Sequence, residues 1–296
     1  MKKLVVISGK GGTGKTTISS AFIGFSSCKT YGDCDVDAPN LHITRGQFLE
    51  SDEQEFIGSK KAKIHEDKCI SCGKCQELCR FGAIEKLENG KFRVNELFCE
   101  GCQTCYNFSG CDAISLYDDV SGYSTVYKDG ETIFSDAKLK MGRGNSGKLV
   151  SLVKSRLSSE AKNRDNGTLC QNDLMIIDGA PGIGCVVIAS LSAMDMALIV
   201  AEPSNSGISD LERIVKTARG FGVKIAVCIN KADLSPEKSK EIKSYAEREG
   251  LIFAGEIPYD KEIMKAVNMG KSIDKVPCKA RESIFEIYQN VIKALE

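Results

Sequence analysis

Two groups of residues have types and spacings that chemistry requires. Gly9-Lys-Gly-Gly-Thr-Gly-Lys-Thr-Thr17 satisfies the pattern G-x-x-x-x-G-K-[ST]. Glycines at these positions let backbone N–H groups turn inward around an anion. Gly11, Gly12, Thr13, Gly14, Lys15, Thr16 and Thr17 are therefore the expected cradle for nucleotide phosphates. Lys15 can set its ammonium on the β- and γ-oxygens, and Thr16 can offer its hydroxyl to Mg²⁺. The second group is Cys69-x2-Cys72-x2-Cys75-x3-Cys79 followed by Cys99-x2-Cys102-x2-Cys105-x5-Cys111. Three thiolates on one tight loop reach three iron corners of a cubane, and the fourth corner needs a distant residue. This predicts one [4Fe–4S] cluster on Cys69, Cys72, Cys75 and Cys111, and another on Cys99, Cys102, Cys105 and Cys79. Paired Cys-x2-Cys also suits zinc, but zinc sites rarely take a third cysteine two residues further on.

These loops need a scaffold, and the chain alternates apolar strands with amphipathic helices. Lys3–Ser8, Leu174–Asp178, Met196–Ala201 and Val223–Ile229 read as strands buried on both faces. Ser209–Gly220 and Ser235–Gly250 read as helices with polar starts and glycine stops. Such alternation predicts an α/β fold with a doubly wound, mostly parallel sheet. The phosphate loop lies between the first strand and the first helix, as it must. The cysteine runs interrupt the alternation and predict a small α+β insertion. The expected domains are residues 1–60, the insertion 61–119, and 120–296, with 116–140 a variable piece of no assigned structure.

Of the chain's 296 residues, Lys+Arg and Asp+Glu number 40 each, so no overall basic field points to nucleic acid or a membrane surface. The most apolar stretch, Gly182–Ala201, contains Asp195 and many small residues, which suits a buried helix and strand better than a membrane span. No basic-then-apolar leader is present at the start. A cytoplasmic setting with reduced cysteines is expected, and metal ligation rather than disulfides.

Lys10-Gly-Gly-Thr-Gly-Lys-Thr16 resembles the deviant Walker A motif of the MinD/ParA superfamily of P-loop ATPases, which includes the nitrogenase iron protein and Mrp-type cluster carriers. The cysteine spacing resembles a bacterial two-cluster ferredoxin, although Arg80 and Asp112 replace that family's proline and the second run carries two extra residues before Cys111. The first resemblance implies a nucleotide-dependent homodimer in which Lys10 reaches the partner's phosphates. Asp33-Cys-Asp-Val-Asp-Ala-Pro-Asn40 is similar to switch I, which implies that Asp35 orients the attacking water and Asp33 sits near the Mg²⁺ shell. Asp178 matches the Walker B carboxylate that helps hold Mg²⁺, and Gly179–Gly182 matches switch II. Asn230 corresponds to an adenine-side asparagine. Asn230-Lys-Ala-Asp233 also fits the Asn-Lys-x-Asp of GTPases, where Asp233 would accept two bonds from guanine; the superfamily favours ATP. Lys10, Lys15 and Asp35 are thus the expected catalytic residues.

Cys185 stands seven residues past Asp178, the offset of an intersubunit cluster ligand in the nitrogenase iron protein, but the companion cysteine of that site has no match in 141–148. Cys28, Cys34, Cys170, Cys228 and Cys278 read as packing residues. MinD ends in a membrane-targeting helix; here Ile284, Ile287, Val291 and Leu295 fall at helical spacing opposite a face without a basic surplus, which predicts a core-facing helix. The resulting expectation is an ATP-hydrolysing protein with Mg²⁺ and two [4Fe–4S] clusters. It would couple dimer switching to electron transfer, or to cluster assembly and transfer, with an unidentified protein partner and neither nucleic acid nor membrane. The alternative is a positioning or partitioning ATPase with structural clusters.

Overall fold

The computed structural model describes residues 1–46, 48–164 and 174–296, so Cys170 lies outside the described residues. In chain order the elements are β1 (Lys2–Ser8), α1 (Lys15–Ser26), β2 (Thr30–Asp33), α2 (Leu41–Arg45), β3 (Glu50–Ile64), α3 (Lys74–Glu77), β4 (Ile84–Lys86) and β5 (Phe92–Val94). They continue with α4 (Thr104–Phe108), β6 (Ile114–Asp129), β7 (Thr132–Leu139), α5 (Ser146–Arg164), β8 (Leu174–Pro181), α6 (Cys185–Leu191) and β9 (Met196–Ala201). The last are α7 (Asn205–Arg219), β10 (Lys224–Asn230), α8 (Pro236–Arg248), β11 (Ile252–Ile257), α9 (Lys261–Asn268) and α10 (Lys279–Leu295).

The chain forms two compact units. The first takes Met1–Glu53, Ser124–Lys138 and Ser146–Glu296; the second takes Gln54–Tyr123 and Leu139–Asn145. The insertion therefore spans more than the expected 61–119, and residues 139–145 join it from further along the chain.

In the first unit the strands run in the order β11-β10-β9-β1-β8-β2-β7-β6-β3, the last two contributing only residues 124–129 and 50–53 to this unit. β1 is parallel to both β8 and β9, β10 is parallel to β9 and β11, and β2 is parallel to β8 and β7. Their continuous apolar runs follow from burial on both faces. Leu4 and Val6 pack with Phe22 of α1 and Ile284, Ile287 and Val291 of α10, while the alternating Val5 and Ile7 are equally buried on the opposite face. Phe22 meets Tyr288 edge-on with ring centroids 5.3 Å apart. The apolar stripe of α10 is thus spent in the core. From β1 the chain crosses over β8 to reach β2, while β9 lies on β1's other side, so the loop leaving β1 opens at the topological switch point where open α/β sheets bind ligands.

The variable piece 116–140 supplies most of β6 and β7. A turn at Gly130 (φ 55°) joins the two strands. Its Tyr, Val and Thr residues favour strands, but their alternation is diluted by Asp118, Asp119 and Ser121, and only sheet partners decide the matter.

In the second unit β4 and β5 pair antiparallel, Ile84 opposite Val94 and Lys86 opposite Phe92. Ala62, Ile64, Ile84, Phe92, Val94, Ala113 and Ile114 form its core together with Cys69 and Cys75. Each cysteine run ends in a short helix entered through a left-handed residue, Gly73 (φ 78°) before α3 and Gln103 (φ 61°) before α4. The internal repeat of the sequence is therefore also a repeat of backbone shape. Arg143 anchors residues 139–145 here: its Nη2 lies 3.0 Å from Asp119 Oδ1 and its Nη1 donates to Glu96 O at 3.1 Å. Among the described residues, no helix is long and apolar enough to cross a membrane.

Candidate functional site

The phosphate loop leaves β1 and enters α1 through Gly12 (φ 80°) and Gly14 (φ 89°), conformations that glycine adopts without strain. At Gly14 the need is double, because a Cβ there would stand 2.3 Å from Asn230 Nδ2. Gly11 and Gly12 face open space, so an anion can approach their backbone. The Thr13 hydroxyl is buried with no hydrogen-bond partner among the described residues. An orphaned hydroxyl and an open cradle are what a bound phosphate would complete.

Behind the loop, Asp178 is fully buried at 0% exposure and gathers three donors. Lys15 Nζ lies 2.8 Å from its Oδ1, the Ser19 hydroxyl donates to Oδ1 at 2.7 Å, and the Thr16 hydroxyl donates to Oδ2 at 2.6 Å. A buried carboxylate of this kind persists only when paired and hydrogen-bonded. Thr16 and Asp178 set hard oxygen donors side by side, the kind that Mg²⁺ prefers. Ser19 is a residue that motif reading missed. Its signal was its spacing, one turn beyond Lys15 and Thr16 on the same face of α1.

Asp33 is tied to three backbone N–H groups. Its Oδ1 accepts the Asp35 N–H at 2.9 Å, and its Oδ2 accepts those of Asn40 at 2.9 Å and Leu41 at 3.0 Å. It therefore braces the loop that carries Asp35. Burial, with Asp178 adding and Lys15 opposing, pushes its carboxyl up to about 7. Asp35 lines the same cleft as the phosphate loop, and burial raises its carboxyl above the ordinary range although Lys15 opposes this.

That cleft holds about 350 Å³, and a neighbouring one of about 260 Å³ is bordered by Asn230, Pro258, Tyr259 and Met264. Gly12, Gly14, Thr17 and Val267 border both, so phosphates and a base fit one continuous groove. Asn230 borders the base side, but one of its amide N–H groups is committed to Thr13 O at 2.7 Å, and its carbonyl accepts the Lys231 N–H at 3.0 Å. Asp233 Oδ1 accepts the Tyr259 N–H at 2.6 Å, which diverts one of the two oxygens that guanine reading would need.

Lys10 lines the phosphate-loop cleft and is ion-paired. Its Nζ pairs with Glu202 Oε2 at 2.9 Å, and Lys231 Nζ holds Glu202 Oε1 at 2.6 Å. Burial would raise the Glu202 carboxyl, but the two lysines outweigh it and hold it below the usual range. Glu202 was also missed, although a charged residue directly after the wholly apolar β9 was the visible cue.

In the second unit the eight run cysteines are unbridged thiols. Burial pushes the Cys75 thiol up to about 11, and Cys111, Cys72 and Cys69 add to the rise. Burial likewise raises Cys105, with Cys99, Cys102 and Cys79 adding. Each neighbourhood thus combines three thiols of one run with the fourth of the other. Cys79, Cys99, Cys102 and Cys105 also line a common cavity. Ser109 has a buried hydroxyl without a partner among the described residues, between Cys105 and Cys111. Among those residues no three His, Cys, Asp or Glu side chains converge on a single-ion site. Four thiols in each neighbourhood is the number that a cubane would take.

Cys185 is exposed at the start of α6, 3.8 Å from the Ser146 hydroxyl. Cys28, Cys34 and Cys228 are buried and Cys278 is half-buried.

The family model of the CobQ/CobB/MinD/ParA nucleotide-binding domain matches residues 4–273. The chain is similar to an uncharacterized protein of Methanocaldococcus jannaschii, 31% identical over 98% of this chain and 96% of that one. It is similar to an iron-sulfur cluster carrier protein of Pyrococcus abyssi, 25% identical over 99% of this chain and 88% of that one. Among solved structures, its fold is like that of the septum site-determining protein MinD of Pyrococcus horikoshii complexed with Mg-ADP. There the TM-score is 0.57 at 16% identity, with 99% of this chain and 96% of that one covered.

Proposed function

The chain belongs to the CobQ/CobB/MinD/ParA nucleotide-binding family, and from that premise we propose that it is an ATP-hydrolysing homodimer that carries two [4Fe–4S] clusters and uses nucleotide turnover to gate electron delivery to a protein partner. Lys15 and the loop amides bind the phosphates, Thr16 and Asp178 hold Mg²⁺, and Asp35 directs the attacking water while Asp33 keeps its loop in place. Lys10 serves the phosphates bound to the partner copy. ATP rather than GTP is favoured because Asp233 is engaged by the Tyr259 backbone. When bound, Mg²⁺ supplies charge neutralisation, and the clusters supply one-electron chemistry.

One observation carries the redox part. The two four-thiol neighbourhoods interleave, and Cys69 and Cys75 are buried within the second unit's own apolar core. Two core-embedded ligands suit a resident cluster on Cys69, Cys72, Cys75 and Cys111 better than cargo to be handed on, which favours electron transfer over cluster transfer, although Cys72 is exposed.

The test uses protein purified without oxygen. About eight irons per chain are expected, together with ATP-dependent reduction of an acceptor that Lys15→Ala abolishes. Zinc or no metal in place of iron would remove the redox reading. Intact clusters appearing on an apo-acceptor, with reduction indifferent to ATP, would replace electron delivery by cluster transfer. Nucleotide-dependent binding to DNA or to lipid vesicles, with the clusters inert, would favour the positioning alternative.

A further inference from the structure

Lys10 is held by Glu202. Its Nζ is 2.9 Å from Glu202 Oε2, and the lysine side chain is 38% exposed while the glutamate is 16% exposed. The same carboxylate holds Lys231 Nζ at 2.6 Å on its other oxygen. Lys231 is itself set by its surroundings: it occupies a left-handed conformation (φ 57°), its N–H is fixed by Asn230, and its Nζ lies 3.4 Å from Gly12 O. Two cations thus share one carboxylate at the edge of the phosphate loop, and the two differ in freedom. Lys10 sits on a glycine-rich loop and is the more exposed; Lys231 is anchored at the end of β10.

From this geometry we infer that Glu202 is a positioning residue that withholds Lys10 from nucleotide phosphate in the free chain, and that Lys231 makes the release cheap. When Lys10 departs, Glu202 keeps a complete ion pair with Lys231, so no half-buried carboxylate is stranded. Without Lys231 the carboxylate would depend on Lys10 alone and hold it harder. A partly exposed pair is a weak latch, which suits a contact that must open each cycle. The inference rests on the reading of Lys10 as a phosphate ligand for the partner copy.

The experiment uses the full-length, iron-loaded chain at saturating Mg²⁺ and a non-hydrolysable ATP analogue, with self-association measured by sedimentation over a range of protein concentrations. Glu202→Gln is expected to lower the midpoint concentration for association about fivefold, the worth of about 1 kcal/mol, and to raise ATP hydrolysis in dilute protein. Lys231→Met is expected to move both in the opposite direction. In a Lys10→Ala background, Glu202→Gln is expected to change neither. Shifts of the same sign for Glu202→Gln and Lys231→Met, or an effect of Glu202→Gln that survives Lys10→Ala, would overturn the latch. Should Glu202→Gln not fold, Glu202→Asp draws the carboxylate back by one methylene and tests the same bridge. Lys10→Ala alone separates the two levels. If it associates and hydrolyses like the parent chain, the reading of Lys10 fails; if it is inactive while Glu202→Gln changes nothing, only the latch fails.

Discussion

At the residue scale, the phosphate loop is governed by backbone freedom and by a few buried charges. Gly14 meets two demands at once, a φ of 89° and a close approach to Asn230. Its replacement by alanine combines left-handed strain of about 1–2 kcal/mol with displacement of the Asn230 amide that ties down Thr13. Nucleotide affinity is expected to fall by about tenfold or more, measured by calorimetry, and the same strain is expected to lower the thermal midpoint by roughly 2–8 °C. Gly11→Ala, which meets open space, is expected to do less. Asp33 shows the opposite relation between motif and role. The motif marks it as important, but what it holds is the loop carrying Asp35, through three backbone N–H groups.

At the scale of elements, the helices that flank the site act as struts. α10 was legible as an amphipathic helix, but its periodicity alone could not say whether its apolar face meets protein or lipid. Ile287 is 1% exposed, and a Cβ built on Gly255 of β11 would come within 2.8 Å of its Cγ1, so the face is closed against the sheet. Ile287→Ala is therefore expected to cost about 2–4 kcal/mol and lower the thermal midpoint by several degrees. Glu286→Ala on the exposed side should stay within about 0.5 kcal/mol. Vesicle binding should be unchanged in both, and a loss of lipid affinity in Ile287→Ala without a stability change would contradict the core-facing assignment. β6 and β7 illustrate the converse. Their strands are half polar, and their pattern becomes meaningful only once the sheet supplies neighbours.

At the scale of the molecule, the two units rely on different sources of stability. The first buries a large core on both faces of its sheet. The second has a handful of apolar side chains, the segments 54–64 of β3 and 114–123 of β6, one hairpin of three-residue strands, and short helices, so its cysteine runs have little packing of their own. On the proposed cluster reading, removal of iron by oxidation and chelation is expected to raise amide exchange across residues 65–115 toward that of an open chain. The amides of β1, β8, β9 and β10 should stay protected. Hydrogen exchange read by mass spectrometry distinguishes this from a uniform loss, which would mean that the units unfold together.

Motif spacing alone determined the phosphate loop and the alternating α/β scaffold. Each of these is a local demand, set by glycine dihedrals or by the period of burial. Long-range contacts decided the rest. Ser19 becomes a partner of Asp178 only because α1 packs against β8, and Glu202 meets Lys10 only because β9 lies beside β1. Residues 139–145 join the second unit through Arg143, which no composition shift announces. Charges far apart in the chain find each other through sheet order, and sheet order is set by the burial of the whole chain rather than by any one segment.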